Sequence, residues 1–337
     1  MRSTLKDIAQ ALNVSTTTVS WVLSGKGEQK GISKATEERV MKYAKELNYQ
    51  PNLLARSLHY GTSHTIGLIV PSIGDLFYSS LARVIEQEAE KFGYALMICS
   101  SESDLGKENR MVDALRAKQV DGILMAPTKL SDEKIVSMLD DKYPFVLFDR
   151  YYPELPTNYV IIDNENSSQQ LVSHLIRRGY RKIAIITTNT YLYTMDLRYR
   201  GYCNAYAAAG LTPDPGLYGV VEYGDHEVEL ERVLDRIFER VPDVDAFFFA
   251  THIFASRFFA YCADRGIGLD FGFAALHEEP LYSVLAPNFN VATMPIEGMG
   301  HEAVRILLQN IKNRSGKKKA DAPKQGVILS CSLKYRD

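Results

Sequence analysis

From Thr65 onward the chain alternates two kinds of segment, and that alternation narrows the available folds more than any other feature. "TIGLIV", "YALMICS", "DGILMAP" and "PFVLFD" are short, β-branched-rich and nearly uninterrupted in apolar residues, as strands buried on both faces are. Amphipathic stretches, Phe77–Phe92 and Lys107–Lys118, lie between them. The pattern restarts after Asp163, where "KIAIITT", "LYGVVEY", "DAFFFAT" and "FGFAAL" alternate with helical stretches near 167–178, 198–209, 227–240 and 253–265. Alternating βα units imply parallel sheets covered by helices. With 337 residues there is chain enough for two such sheets and a further small domain. Two doubly wound α/β sheets side by side leave a cleft at the carboxyl ends of their strands, where ligands of open α/β folds bind.

The amino-terminal region reads differently. Leu5, Ile8, Ala9 and Leu12 fall on one helical face. Thr4 stands as an N-cap with Asp7 three residues on, a capping box with Asp in place of Glu. Asn13 tolerates the left-handed conformation of a tight turn, and Ser15 can cap the next helix. In that second helix Thr18, Val19, Val22 and Leu23 form a core-facing stripe, while Thr16, Thr17, Ser20 and Trp21 share the opposite face. Solvation alone usually recruits Lys and Glu, so hydroxyls beside the chain's one tryptophan suggest another purpose. Ser33 opens a third helix with Val40, Tyr43, Ala44 and Leu47 on one side. These three helices fit either a helix-turn-helix reading DNA or another small three-helix domain.

Charge favours DNA. The net charge is −2, yet residues 1–63 hold nine Lys/Arg against five Asp/Glu, a balance of +4 that leaves −6 on the rest. A basic head on an acidic body suits phosphate attraction. The four cysteines, Cys99, Cys203, Cys262 and Cys331, lack metal or disulfide spacing and suit a reducing compartment. "MRSTLKDIAQ" has no signal-peptide character, and eighteen consecutive apolar residues occur nowhere. A cytoplasmic protein without membrane partner, metal or cofactor is expected.

"LKDIAQALNVSTTTVSWVLSG" resembles the amino-terminal signature of the LacI/GalR family of bacterial transcriptional repressors, and "NYQPNLLARSLHYGTSHTIGLIVP" resembles that family's hinge and first core strand. The resemblance runs nearly the whole chain, strongest before Ser101 and weaker after Phe249. It implies a helix-turn-helix domain over 1–49, a hinge over 50–63 and a periplasmic-binding-protein-like core. The core would divide into one subdomain of 64–162 and 291–323 and another of 163–290 and 324–337. Val291–Met294 and the helix Ile296–Arg314 would return to the first subdomain, and the segment after Lys324 would rejoin the second. The implied function is a ligand-responsive, sequence-specific repressor of carbohydrate metabolism genes, acting as a homodimer on double-stranded operator DNA. No heptad-bearing tail follows "GVILSCSLKY", so a dimer is expected and not a tetramer.

Carried over residue by residue, the base contacts fall on Thr16, Thr17 and Trp21, with Thr4, Ser15, Thr18 and Ser20 as neighbouring candidates. Threonine can bond either base type or meet a thymine methyl. The family often has a charged or phenolic donor where Trp21 stands, and indole offers one donor and a large apolar face. The alternative is that Trp21 folds back on the hinge or the third helix. Pro51 stops the third helix and can start another. The resemblance implies a hinge helix bearing Asn52, Ala55 and Arg56, with Leu58 wedged into the minor groove.

The effector-cleft residues implied by the resemblance are Phe77, Tyr78, Asp149, Arg150, Arg198 and positions near His226, Thr251 and His277. Arg198, in "RYRGY", matches the family's R-x-x-G-[FWY] motif. Two departures matter. Thr251-His252 stands where many sugar-responsive members have Asn-Asp, and His277 stands where they have an aspartate. "FDR" and the long "SGKGEQKGIS" loop resemble the fructose-repressor branch, which answers to phosphorylated sugars. A sugar or, more narrowly, a sugar phosphate is the expected effector, held by Arg150 and Arg198. Arg150 could instead pair with Asp149 or Glu154. A transport solute-binding protein and an α/β enzyme share the core pattern. The helix-turn-helix argues against the first. The lack of a nucleophile elbow, metal-spaced cluster or P-loop argues against the second. "RSGKKKADAPKQ" reads as a solvated loop.

Overall fold

The computed structural model describes residues 4–49, 61–128, 133–188, 192–222, 226–315 and 323–336. The hinge candidates Asn52, Ala55, Arg56 and Leu58 lie outside them. The chain forms two compact units, Met1–Ser63 and His64–Asp337.

In the first unit helices α1 (Leu5–Leu12), α2 (Thr16–Leu23) and α3 (Lys34–Glu46) follow from local chemistry. At α1 the Thr4 amide and hydroxyl donate to Asp7 Oδ2 at 2.7 and 2.8 Å, while the Asp7 amide donates back to Thr4 Oγ1 at 3.3 Å. These bonds satisfy donors that a helix start leaves open. They also hold the Asp7 carboxyl below its ordinary pKa, the Thr4 amide contributing most. Asn13 turns the chain in the left-handed region at φ 52°. The Ser15 and Ser33 hydroxyls accept the Thr18 and Thr36 amides and so cap α2 and α3. Ile8, Ala9, Val19, Val22, Val40 and Ala44 form the core of this unit.

Among the described residues the second unit contains two six-stranded sheets. The first is built from β1 (Thr65–Val70), β2 (Ala95–Ser100), β3 (Gly122–Met125), β4 (Phe145–Phe148), β5 (Tyr159–Ile162) and β11 (Gly326–Leu329), in the order β11-β5-β4-β3-β1-β2. The second uses β6 (Ile183–Thr188), β7 (Tyr218–Val221), β8 (Ala246–Phe249), β9 (Gly272–Leu276), β10 (Phe289–Thr293) and β12 (Ser332–Lys334), in the order β12-β10-β9-β8-β6-β7. All pairings are parallel except β10 with β12. The apolar runs from "TIGLIV" to "FGFAAL" are therefore these strands, with β3, β4, β8 and β9 fully buried.

The two late crossings lie further along the chain than the boundaries 291 and 324. β10 stays in the second sheet beside β9. Its Phe289 ring stacks on Phe273 at 5.4 Å and on Tyr282 at 4.2 Å, which anchors the strand in the second core. The helix Ile296–Ser315 then packs on the first sheet. β11 also joins the first sheet, with Gly326 opposite Tyr159, so only β12 rejoins the second. The close fit at that register explains the placement: a Cβ on Gly326 would come within 2.4 Å of the Tyr159 ring.

No helix among the described residues is long and apolar enough to cross a membrane.

Candidate functional site

In the first unit α2 presents its two faces as the spacing suggests. Val19 and Val22 are buried, whereas Thr16 and Thr17 are exposed and Ser20 and Trp21 half-buried. Trp21 does not pack into the hydrophobic cluster of this unit. Lys30, carried by a single 3-10 turn at Glu28–Lys30, lies with Nζ 5.5 Å from the centre of the Trp21 ring. A cation is thereby placed beside the outward aromatic. The Thr4, Ser15 and Thr18 hydroxyls are engaged locally: Thr4 with Asp7, and Ser15 with Thr18 at 2.9 Å. The groups left to face a ligand on this helix are Thr16, Thr17, Ser20 and Trp21.

In the second unit a cavity of about 580 Å³ opens where strands of both sheets end. Phe77, Tyr78, Asp149, Arg150, Arg198 and Thr251 all line it. The first wall comes from α4 (Leu76–Lys91) and the ends of β1, β2 and β4. Asp149 sits in the left-handed region at φ 61°, a conformation that non-glycine residues adopt sparingly. Its carboxylate accepts the Tyr78 hydroxyl at 2.6 Å and lies 3.6 Å from Arg150 Nε. Arg150 Nη1 donates to the Pro127 carbonyl at 3.3 Å. Buried Glu108 steadies this loop by accepting the Thr128 amide at 2.8 Å. Burial raises the Glu108 carboxyl, with Thr128 and Arg150 partly opposing that rise.

The second wall is formed by α8 (Tyr193–Ala208) and α10 (His252–Arg265). Arg198 is 3% exposed and extends from α8 with Nε bonded to Asn164 Oδ1 at 2.8 Å and Nη1 to the Ala250 carbonyl at 2.6 Å. Both partners are neutral, and burial lowers the pKa of this guanidinium. The helix α7 (Asn164–Arg177), which supplies Asn164, lies so close to α8 that a Cβ on Gly201 would stand 2.2 Å from the Glu165 carbonyl oxygen. Glycine in "RYRGY" is thus a packing requirement that brings Arg198 to its partner.

His277 takes another place. It lies one layer behind the lining, its ring edge-on to Phe77 at 5.6 Å and to His252 at 4.9 Å. Its Nδ1 is buried with no hydrogen-bond partner among the described residues. Burial, followed by the charge of His252, pushes its pKa down to about 4. The expectation that His277 meets the ligand is therefore corrected: its ring is shielded by Phe77 and His252. Of His226 only the backbone is described, opening the helix His226–Arg240. Of the alternatives for Arg150, pairing with Asp149 is the one found, since its Nε lies against that carboxylate.

Sequence reasoning passed over Asp75, Arg257 and Asn164, and marked His252 only as a departure from the family pattern. Asp75 is the N-cap of α4, accepting the Phe77 amide at 2.8 Å, a signal of the same kind that identified Thr4. Burial raises its carboxyl, but the bond and charge of His252 and the Phe77 amide together hold it below its usual value. His252 and Arg257 line the cavity beside Thr251. Among the described residues no group of three or more His, Cys, Asp or Glu is placed to hold a metal ion.

Residues 4–52 match the family of bacterial regulatory proteins, lacI family. Residues 63–254 match periplasmic binding proteins and sugar binding domain of LacI family, and residues 172–337 match a periplasmic-binding-protein-like domain. The chain is 31% identical to the HTH-type transcriptional repressor PurR of Aliivibrio fischeri, across 99% of both chains. It is 29% identical to the ribose operon repressor of Halalkalibacterium halodurans, across 93% of this chain and 91% of the relative. Among solved structures, the lac repressor dimer bound to operator and the anti-inducer ONPF superposes with a TM-score of 0.83 at 21% identity, covering 100% of this chain and 98% of that one.

Proposed function

The chain belongs to the LacI family of bacterial regulatory proteins, and from that premise we propose that it is a ligand-gated repressor whose effector is a sugar phosphate. On this reading α2 reads operator DNA through Thr16, Thr17 and Trp21, and a homodimer reads a roughly palindromic site. The relatives named above are repressors, and repression is the direction proposed.

The observation that carries the effector class is Arg198. A guanidinium 3% exposed lines a cavity while its protein partners are an amide oxygen and a backbone carbonyl. The Asp149 carboxylate offsets part of this charge, and a buried charge that is only partly compensated is costly. An anionic ligand oxygen would compensate it and could accept two parallel N–H bonds from the guanidinium fork. Across the cavity the Asp149 carboxylate and the Tyr78 hydroxyl suit sugar hydroxyls. Ligand gates DNA only by preferring one core conformation over another. The cleft is a binding site on this reading, so sugar phosphates incubated with the protein should be recovered unchanged. The helix-turn-helix match over residues 4–52 favours a regulator over a transport protein with the same core.

The test is calorimetry with paired free and phosphorylated pentoses and hexoses, alongside operator binding. The phosphorylated member of one pair should bind and alter operator affinity. Arg198→Ala and the gentler Arg198→Lys should lose that response while ligand-free operator affinity stays near wild type. A mutant that responds at wild-type ligand concentration, or a preference for the free sugar, overturns the assignment.

A further inference from the structure

The two walls of the cleft touch inside the cavity, and one contact comes from a residue that departs from the family pattern. His252 begins α10 on the second wall, and its Nε2 lies 3.4 Å from Oδ1 of Asp75 on the first wall. The same nitrogen is 3.7 Å from Oε1 of Glu279 on its own side. These side chains are largely buried, and each carboxylate is held independently. Asp75 Oδ1 accepts the Phe77 amide at 2.8 Å, and Glu279 Oε2 accepts the Ser256 hydroxyl at 2.7 Å. The Tyr282 hydroxyl donates to the His252 carbonyl at 2.9 Å, fixing the backbone from which the imidazole extends.

Other groups surround this contact. The His252 ring meets His277 edge-on, and His277 in turn meets Phe77 of the first wall. Arg257 lies further along α10, Arg198 faces the same cavity from α8, and Glu278 adjoins His277. A second polar crossing is weaker in character: the Thr194 hydroxyl donates to the Asp149 carbonyl at 3.2 Å. An aspartate at position 252, of the kind the resemblance implies, would meet Asp75 as a like charge. Histidine meets it as a donor, turning a repulsion across the cleft into an attraction.

We propose that His252 is the closure residue of this cleft, bridging Asp75 and Glu279 so that the two subdomains are held shut around the cavity. The proposal rests on reading the cavity as the effector site, but the tie belongs to the protein alone. An effector entering the cleft must pass a contact that the chain makes with itself, and one that is enclosed there is retained by it. Asp75 is suited to such a role because the same oxygen caps α4, which places it with little freedom before His252 arrives.

The experiment is hydrogen–deuterium exchange on the full, ligand-free chain, following peptides over 72–82 and 250–258. Asp75→Asn removes the charge and keeps a good helix cap, His252→Ala removes the imidazole, and His252→Gln keeps a donor at similar reach. A lost bond to a charged partner should speed exchange in both peptides roughly tenfold or more in each of the first two variants. The double variant should exchange no faster than either single one, since both remove the same contact. His252→Gln should return most of the protection, and peptides over 65–70 and 183–188 should be unchanged in all. Wild-type rates in both single variants, effects that add in the double, or no rescue by glutamine each overturn the tie. Because no effector enters the measurement, such a result leaves the sugar-phosphate reading standing. Failure of the calorimetric test likewise leaves the tie standing.

Discussion

Gly201→Ala should destabilise the second unit, although helix propensity alone predicts the reverse. A methyl at this position would stand 2.2 Å from the Glu165 carbonyl oxygen, 2.8 Å from Ser168 Cβ and 2.9 Å from the Gln169 nitrogen. Ordinary van der Waals contact begins near 3.4 Å, so the helices must separate by about 1 Å. Two of the three obstructing atoms belong to the backbone of α7 and cannot rotate away. Overpacking of this kind costs about 1–3 kcal/mol and belongs at the upper end here. The exchange of glycine for alanine inside a helix returns about 1 kcal/mol. The net is a loss of about 2 kcal/mol, or roughly 4–8 °C in Tm for a unit of this size. The same displacement stretches the Arg198–Asn164 bond from 2.8 Å, so effector binding should weaken by more than folding does. Thermal denaturation of the full chain, followed by the core transition, gives the sign directly. A Tm equal to or above wild type would mean that propensity prevails and that the α7–α8 contact yields easily. The packing account of the R-x-x-G motif would then be wrong.

Two further outcomes follow from the DNA-binding half. Trp21 is the single tryptophan and lies outside the hydrophobic cluster of its unit, so saturating operator should shift its emission more than non-specific duplex does; an unchanged spectrum would place the indole away from DNA. On the proposal that Leu58 is the minor-groove wedge implied by the family resemblance, Leu58→Ala should weaken operator binding by about 1–3 kcal/mol and reduce bending of the duplex. Gel mobility with the operator at varied positions reports the bend, and equal bending by mutant and wild type refutes the wedge.

What could be read from the residues divides by the range of the interaction. Caps and turns were legible because their chemistry is local: Thr4 with Asp7, Asn13 at positive φ, and Ser15 and Ser33 each within three residues of the amide they accept. Strands buried on both faces were legible because their apolar runs need no partner to be recognised. The late crossings were not. Whether "FNVAT" joins one sheet or the other depends on Phe289 meeting Phe273 and Tyr282, a choice made by packing between separate segments. In the cleft, strand-end positions carried over from the family located Asp149, Arg150 and Thr251, since the fold fixes where strands end, and the R-x-x-G motif located Arg198 on its helix.

Charge pairing was the least legible, because a carboxylate on one wall and an imidazole on the other leave no trace in spacing. The two histidines that depart from the family pattern look equivalent along the chain, and the fold separates them. His277 sits behind Phe77 and is driven toward its neutral form by burial, so it behaves as a packed ring. His252, one residue beyond the position that the resemblance pointed to, reaches Asp75 across the cavity. The departure from an Asn-Asp pair therefore changes more than what a ligand would touch. It changes how one wall of the cleft regards the other, and closure itself becomes a property of this chain's own side chains.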